Sequence, residues 1–344
     1  MRVLKFGGTS VANAQNIKLV LDIVIKKAAQ DKLIVVVSAF TKVTDLLVLA
    51  SQKAASNDES YKEIVAEIEK KHLDAIKELI PVSEQSSILS HIKRIINHLE
   101  TLLDGCFLLG ELSPRTSDTI LSFGELLSSY IIAEAFKQQN KNCSYKDSRE
   151  LIKTNGNFGK ATVNFEVTNE LIANYFASNE SQIVIMPGFI SSTEEGIGTT
   201  LGRGGSDYTA AILAGALNAS ELEIWTDVNG MFTANPKIVK QAQPIASISY
   251  QEAMELSHFG AKVLYPPTIQ PVLEKNIPIL IKNTFDPESE GTMISALVKS
   301  NDNPIKGISH IDKIALLTLE GSGMVGVSGS SKRLFEVLSN ENIN

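Results

Sequence analysis

The chain has 344 residues, 43% hydrophobic and 21% charged, with a formal net charge of −7. That composition suits a globular protein with one large or two modest domains, and its negative field without a Lys/Arg stripe argues against nucleic acid or an anionic membrane as partner. The opening Met1-Arg2-Val3-Leu4-Lys5 has no signal-peptide core and no apolar run of spanning length is expected, so the reading is a cytoplasmic enzyme.

A first buried strand is expected at Val3–Phe6, followed by a helix around Asn13–Gln30 and a second strand at Leu33–Ser38. Between the first strand and helix lies Lys5-Phe6-Gly7-Gly8-Thr9-Ser10. Glycine amides and a helix N-terminus there could cradle phosphate oxygens with Lys5 as countercharge, although on this motif alone a tight βα turn is the preferred explanation of the glycines. From Tyr61 to Leu109 apolar residues recur at three-to-four spacing with a break at Pro81, which predicts a helical hairpin inserted in the α/β unit. Its His72, His91 and His98 have no carboxylate cluster beside them; they read as solvated histidines on a packing element. Cys106 and Cys143 fit no metal or redox motif and read as buried thiols. A helix at Asp118–Lys137 carries Gly124-Glu125, where the carboxylate is either a surface charge or a ligand group.

Further strands are expected at Ile183–Met186, Leu222–Thr226 and Pro278–Ile281, with helices at Thr168–Ala177, Asp207–Leu217 and Tyr250–Ser257. This βαβ rhythm predicts a mainly parallel sheet with ligands gathered at the strands' carboxyl ends. Leu201-Gly202-Arg203-Gly204-Gly205-Ser206-Asp207 is the stronger glycine cluster. Ser206 and Asp207 would cap a helix, but capping leaves Arg203 unexplained, a bidentate fork set among glycines that let a ligand approach the backbone. Thr226-Asp227-Val228-Asn229-Gly230-Met231-Phe232 places a polar turn and a ring, on which a nucleotide base could stack, at the sheet's carboxyl edge. Phe259-Gly260-Ala261-Lys262 brings another lysine beside glycine.

After Asp302-Asn303-Pro304 a strand at Ile314–Leu319, a loop at Gly321–Gly329 and a helix at Lys332–Leu338 are expected, too few elements to close a core. Gly321, Gly323 and Gly326 fit G-x-G-x-x-G, but no second strand follows to complete a dinucleotide fold, so a glycine-rich loop of a regulatory domain is the preferred reading.

With these motifs in order, the sequence resembles the aspartate kinases of the amino-acid kinase family. The resemblance rests on Lys5–Ser10, Gly202–Asp207, Trp225–Gly230 and Phe259–Leu264. Ser249–Gly260 and Ile281–Thr284 look like the kinase portion of bifunctional aspartokinase/homoserine dehydrogenases. The resemblance implies a three-layer α/β/α sandwich with a mainly parallel sheet over residues 1–300, then a linker and the start of an ACT-type regulatory domain over 301–344. It implies ATP-dependent phosphorylation of aspartate's side-chain carboxylate, the first step towards lysine, threonine and methionine, by an enzyme that is a homo-oligomer at full length. ATP is the phosphoryl donor, and Mg²⁺ would be held mainly through its phosphates. Lys5, Gly8 and Lys262 would serve the transferring group and Asp207 would orient the lysines. Gly7, Thr9, Ser10, Thr226, Asp227, Phe232 and Lys237 fall on the ATP side, which Lys262 also serves. Ser38, Thr44, Glu125, Arg203, Gly204 and Ser206 fall where the family holds aspartate. Alternatives are an amino-acid-sensing module without turnover and a kinase of the same fold for another small acid. Aspartate's carboxylate, with an ordinary pKa of about 4, is already a nucleophile at neutral pH and needs no general base.

Overall fold

The structure is a computed structural model that describes residues 1–139, 142–260, 263–296, 305–311, 318 and 329–341. It divides into a unit of Met1–His310 and a second of Ile311–Asn344.

In chain order the first unit runs β1 (Arg2–Phe6), α1 (Ala14–Ala28), β2 (Leu33–Val37), α2 (Val43–Ala55), α3 (Tyr61–Leu79), α4 (Gln85–Leu109), α5 (Pro114–Gln138), β3 (Cys143–Tyr145), α6 (Phe165–Ser178), β4 (Ile183–Pro187), β5 (Ile190–Ser192), β6 (Gly198–Thr200), α7 (Gly205–Ala216), β7 (Leu222–Thr226), β8 (Ser247–Ser249), α8 (Tyr250–His258), α9 (Gln270–Leu273), β9 (Ile279–Asn283) and β10 (Thr292–Ser295). The main sheet has the order β3-β4-β2-β1-β7-β9-β10-β8, and every neighbouring pair is parallel except β9 with β10. β5 and β6 form a separate antiparallel hairpin.

The central strands are apolar on both faces because both are covered, as a parallel sheet requires. Leu4, Phe6, Leu33, Val35, Val37, Ile183 and Ile185 pack with the core of α1 to α5. Val3, Ile34, Val36, Val184, Met186, Leu222 and Ile224 pack on the other face with α6 to α9. The side-chain period of two along each strand thus sorts the chain into two cores and a three-layer sandwich.

The inserted hairpin forms as α3 and α4. His72 corrects the solvated reading: it is fully buried, stacks on Phe40 at 4.7 Å between ring centres, and sets Nδ1 2.7 Å from the Ile68 carbonyl. Burial pushes its pKa down to about 4, so it packs as a neutral ring. His98 is exposed and His91 partly so. Of the cysteines, Cys106 is buried and Cys143 only partly. α5 is apolar and long enough to cross a bilayer, contrary to the expectation of no such run, but 72% of that stretch is buried as the core helix of the sandwich. In the second unit α10 (Ser330–Asn340) is described and carries exposed Phe335 and Val337. The expected strand at Ile314–Leu319, bar Thr318, and the Gly321–Gly326 motif lie outside the described residues.

Candidate active site

At the carboxyl edge of β1, β2 and β4, their loops, the first turns of α2 and α7 and the N-terminal half of α5 line a cavity of about 640 Å³. Lys5, Gly8, Ser38, Thr44, Glu125, Arg203, Gly204, Ser206 and Asp207 all line it, so residues from four separate stretches of sequence converge as the switch between strands and helices predicts.

The first loop is held by backbone bonds: Gly7 N–H donates to the Trp225 carbonyl (3.1 Å) and Ser10 N–H to the Gly7 carbonyl (3.0 Å). A Cβ on Gly8 would sit 3.2 Å from the Ala39 carbonyl oxygen, so the small residue lets the loop after β2 lie against it. Thr41 fastens that approach, its hydroxyl donating to the Gly8 carbonyl at 2.8 Å. Lys5, the penultimate residue of β1, reaches Asp207 in the first turn of α7 at 2.6 Å, and the two side chains are only 11% and 13% exposed. The pairing fixes the lysine's direction across the sheet edge, and an acid in a first turn also suits the helix dipole.

Glu125 enters from α5. A Cβ on the preceding Gly124 would lie 2.8 Å from the Ala39 Cβ, so glycine there lets the helix approach the loop closely. Ala39 N–H donates to Glu125 Oε1 at 3.2 Å, whereas Oε2 is buried without a protein partner. Burial pushes the carboxyl up to about 8, opposed by the Ala39 hydrogen bond and by the charge of Lys5. A buried acid with one oxygen unsatisfied at a cavity wall is a receptor for a cationic or donor group.

The glycine cluster wraps the opposite side. Gly202 and Gly204 have φ near 70°, and a Cβ on Gly204 would lie 2.7 Å from Tyr265 Cβ. Gly204, not Ser206 or Asp207, is the N-cap of α7, which corrects the capping expectation; the two polar residues are in its first turn. They therefore face the ligand space with Arg203, which is exposed and makes no ion pair among the described residues.

Asp118 is a cavity residue that sequence reasoning missed. It is 2% exposed, accepts from the backbone of Gly159 (3.0 Å) and Thr200 (3.1 Å), and takes the Thr200 hydroxyl at 2.9 Å. It thereby ties the Gly159 loop and β6, the strand that feeds the Arg203 turn, to α5. Phe189 and Lys42, also on the wall, were missed as well. Each has a positive φ that no local sequence signal announces.

The residues assigned to nucleotide stand apart. Thr226, Asp227, Phe232 and Lys237 do not line this cavity. Thr226 ends β7, its carbonyl accepting from Thr284 N–H (2.9 Å), and Phe232 bridges to Pro244 across the following loop. Asp227 and Lys237 are exposed. Thr9 is exposed at the turn, but Ser10 is fully buried with its hydroxyl 2.7 Å from that of Thr284, so it ties the loop to the residue that follows β9 and offers no free donor. Lys262 and Ala261 lie outside the described residues. No cluster of three His, Cys, Asp or Glu suited to a metal occurs among the described residues.

The amino acid kinase family model matches residues 1–283. The bifunctional aspartokinase/homoserine dehydrogenase 1 of Arabidopsis thaliana is 38% identical over 344 residues, covering 98% of this chain and 37% of that protein. Lysine-sensitive aspartokinase 3 of Escherichia coli is 35% identical over 352 residues, covering 99% of this chain and 74% of that one. The crystal structure of E. coli aspartokinase III with aspartate and ADP superposes with a TM-score of 0.84 at 32% identity, covering the whole chain and 75% of that structure. The chain thus spans little more than a third of its bifunctional relatives. With both cores, the sheet order and the family match all falling within the first 310 residues, the chain belongs to the amino acid kinase family.

Proposed function

We propose that the chain phosphorylates the side-chain carboxylate of aspartate with ATP. The observation that carries this reading is the meeting, in one cavity, of a buried carboxyl group with an oxygen unpartnered among the described residues (Glu125), a guanidinium without an ion pair among them (Arg203) and an oriented lysine (Lys5). An α-amino acid offers an ammonium for Glu125 and an α-carboxylate for the planar fork of Arg203. Held at those two points, its side-chain carboxylate is free to face Lys5. Lys5 is directed by Asp207, so its charge is available to the transferring phosphoryl oxygens without reorganisation. The acceptor is already anionic, so the chain's task is alignment and neutralisation of repelling charge, and no general base is required.

The complex of E. coli aspartokinase III with aspartate and ADP supports this pair of substrates. The turn after β7 supports a nucleotide position on the Thr226–Phe232 side. Of the four acids on the cavity wall, Asp207 is committed to Lys5, Asp118 to donors of Gly159 and Thr200, and Glu125 is assigned to the substrate's ammonium, which leaves Asp45 and no carboxylate cage, so Mg²⁺ would be carried mainly by ATP phosphates and water, where it neutralises charge on the triphosphate. A coupled ADP-release assay tests the reading with aspartate, glutamate and homoserine as acceptors. Release that depends on aspartate is the expected result; equal release with glutamate, or none with either acid, would refute it.

A further inference from the structure

We propose that Lys42 is a further cation of the phosphoryl-transfer site, placed to meet the terminal phosphoryl group of the nucleoside triphosphate. The proposal rests on the phosphotransfer reading above and adds to it a residue that neither the glycine motifs nor the Lys5–Asp207 pair implies.

Among the described residues, the non-glycine positions with positive φ are Lys42, Asn57, Phe189, Asn218 and Asn276. Asparagine tolerates this region because its short polar side chain bonds locally. Phe189 is secured by its surroundings. Its N–H donates to the Thr209 hydroxyl at 3.0 Å, and its ring lies where a Cβ on Gly205 would come within 2.7 Å. Lys42 has no such account. It is the N-cap of α2 with φ 68°, it makes no side-chain cap bond, and its side chain is exposed without an ion pair among the described residues. Helix rules favour Ser, Thr, Asp or Asn at that position, and the left-handed backbone favours Gly. A lysine thus breaks two local preferences at once. Such departures persist at functional positions, where the side chain gives something the backbone alone does not.

Its location says what that is. Lys42 lines the cavity that holds Glu125 with its unsatisfied oxygen. The preceding residue, Thr41, hydrogen bonds to the Gly8 carbonyl, so the Lys42 turn is docked on the glycine loop assigned to phosphate rather than on the Arg203 side. Asp45, one turn further along α2, shares the wall but makes no ion pair with Lys42. The group that a free ammonium meets there is an anionic oxygen arriving beside Gly8, and in the phosphotransfer reading that is the phosphoryl end of the donor.

The test compares the parent chain with Lys42→Gln, which keeps the strained backbone and removes the charge, Lys42→Gly, which removes both, and Lys42→Arg. Calorimetric titration uses the Mg²⁺ complexes of AMP-PNP, a non-hydrolysable triphosphate, and of ADP. Loss of one charge-assisted contact predicts about tenfold weaker AMP-PNP binding for the Gln and Gly variants, with ADP within twofold of the parent and Arg near the parent for both. Lys42→Gly should also melt at or above the parent temperature, because glycine relieves the left-handed strain. AMP-PNP binding by Lys42→Gln within twofold of the parent, or equal weakening of ADP and AMP-PNP, overturns the assignment. A parent chain that binds neither nucleotide would instead refute the phosphotransfer reading and the role of Lys42 with it.

Discussion

Glu125 shows how one buried side chain can make a site answer to pH. With its carboxyl pushed up to about 8, the unliganded site is mostly protonated at neutral pH, whereas an incoming ammonium prefers the carboxylate. The KM for aspartate should therefore fall as pH rises from 6 towards 8, and Glu125→Gln should raise it while flattening that dependence. A Gln variant with the parent's pH profile would remove Glu125 from the ammonium role. The same raised pKa favours the folded state below the ordinary carboxylate range and loses that contribution as pH climbs through 8. Lys5 is assigned to charge that develops during transfer, so Lys5→Ala should lower kcat far more than it alters either KM. The loss expected for one preorganised group is on the order of 3 kcal/mol, a few hundredfold. A kcat within a few-fold of the parent would contradict that role. Lys5 could be singled out from its own glycine motif, whereas Gly124-Glu125 left a surface charge equally open and Glu125 was placed only by the family resemblance. Lys42 and Asp118 had no such signal. Nothing beside Asp118 distinguishes a surface acid from one that, once folded, collects three hydrogen bonds from β6 and a loop forty residues away.

At the scale of elements, the strands and the helices between them were readable because two-sided burial writes uninterrupted β-branched runs and helix faces write a period near four. The misses have physical causes. α2 has no capping side chain, its N-cap being the left-handed Lys42, so the start signal of a helix is absent. β5 and β6 are three residues each, too short for a period to register, and they are held by the partner strand and by Asp118 rather than by propensity. Asp118 is therefore the residue through which α5 controls the Arg203 turn. Asp118→Asn offers one accepting oxygen where the acid offers two, so buried donors of Gly159 or Thr200 lose their partner. Leaving such a group unsatisfied costs roughly 1–3 kcal/mol. The variant should melt several degrees lower and show a raised KM for aspartate with little change for ATP. Unaltered melting together with unaltered KM would mean that the hairpin is positioned by something else.

For the whole molecule, the physical boundary falls later than the composition shift at Asp302-Asn303-Pro304. Residues 305–310 belong to the first unit. Ile308 N–H donates to the Thr233 carbonyl at 2.8 Å, Lys306 pairs with Glu252 on α8 at 2.9 Å, and Gly307 packs against Leu256 and Ile245. The carbonyl of His310 lies close against Gly260, two residues before Lys262. This strap thus fastens the loop that carries Phe232 and the start of the Lys262 segment from outside the family's own matched stretch, residues 1–283. Both cores and every strand of the main sheet lie before it, so a chain ending at His310 should melt within about 2 °C of the 344-residue chain. A chain ending at Pro304 loses the Ile308 bond, the packing of Gly307 and a half-exposed ion pair that adds little by itself. A deficit of roughly 1–2 kcal/mol predicts a melting point about 2–6 °C lower. The KM for ATP should rise more than that for aspartate, because the loosened loop carries Phe232, on the side proposed for the nucleotide. If the two truncations melt together and share their kinetic constants, the strap has no hold on the first unit; if only the shorter one loses ATP, residues 305–310 are what holds the Phe232 loop in place for the proposed nucleotide side.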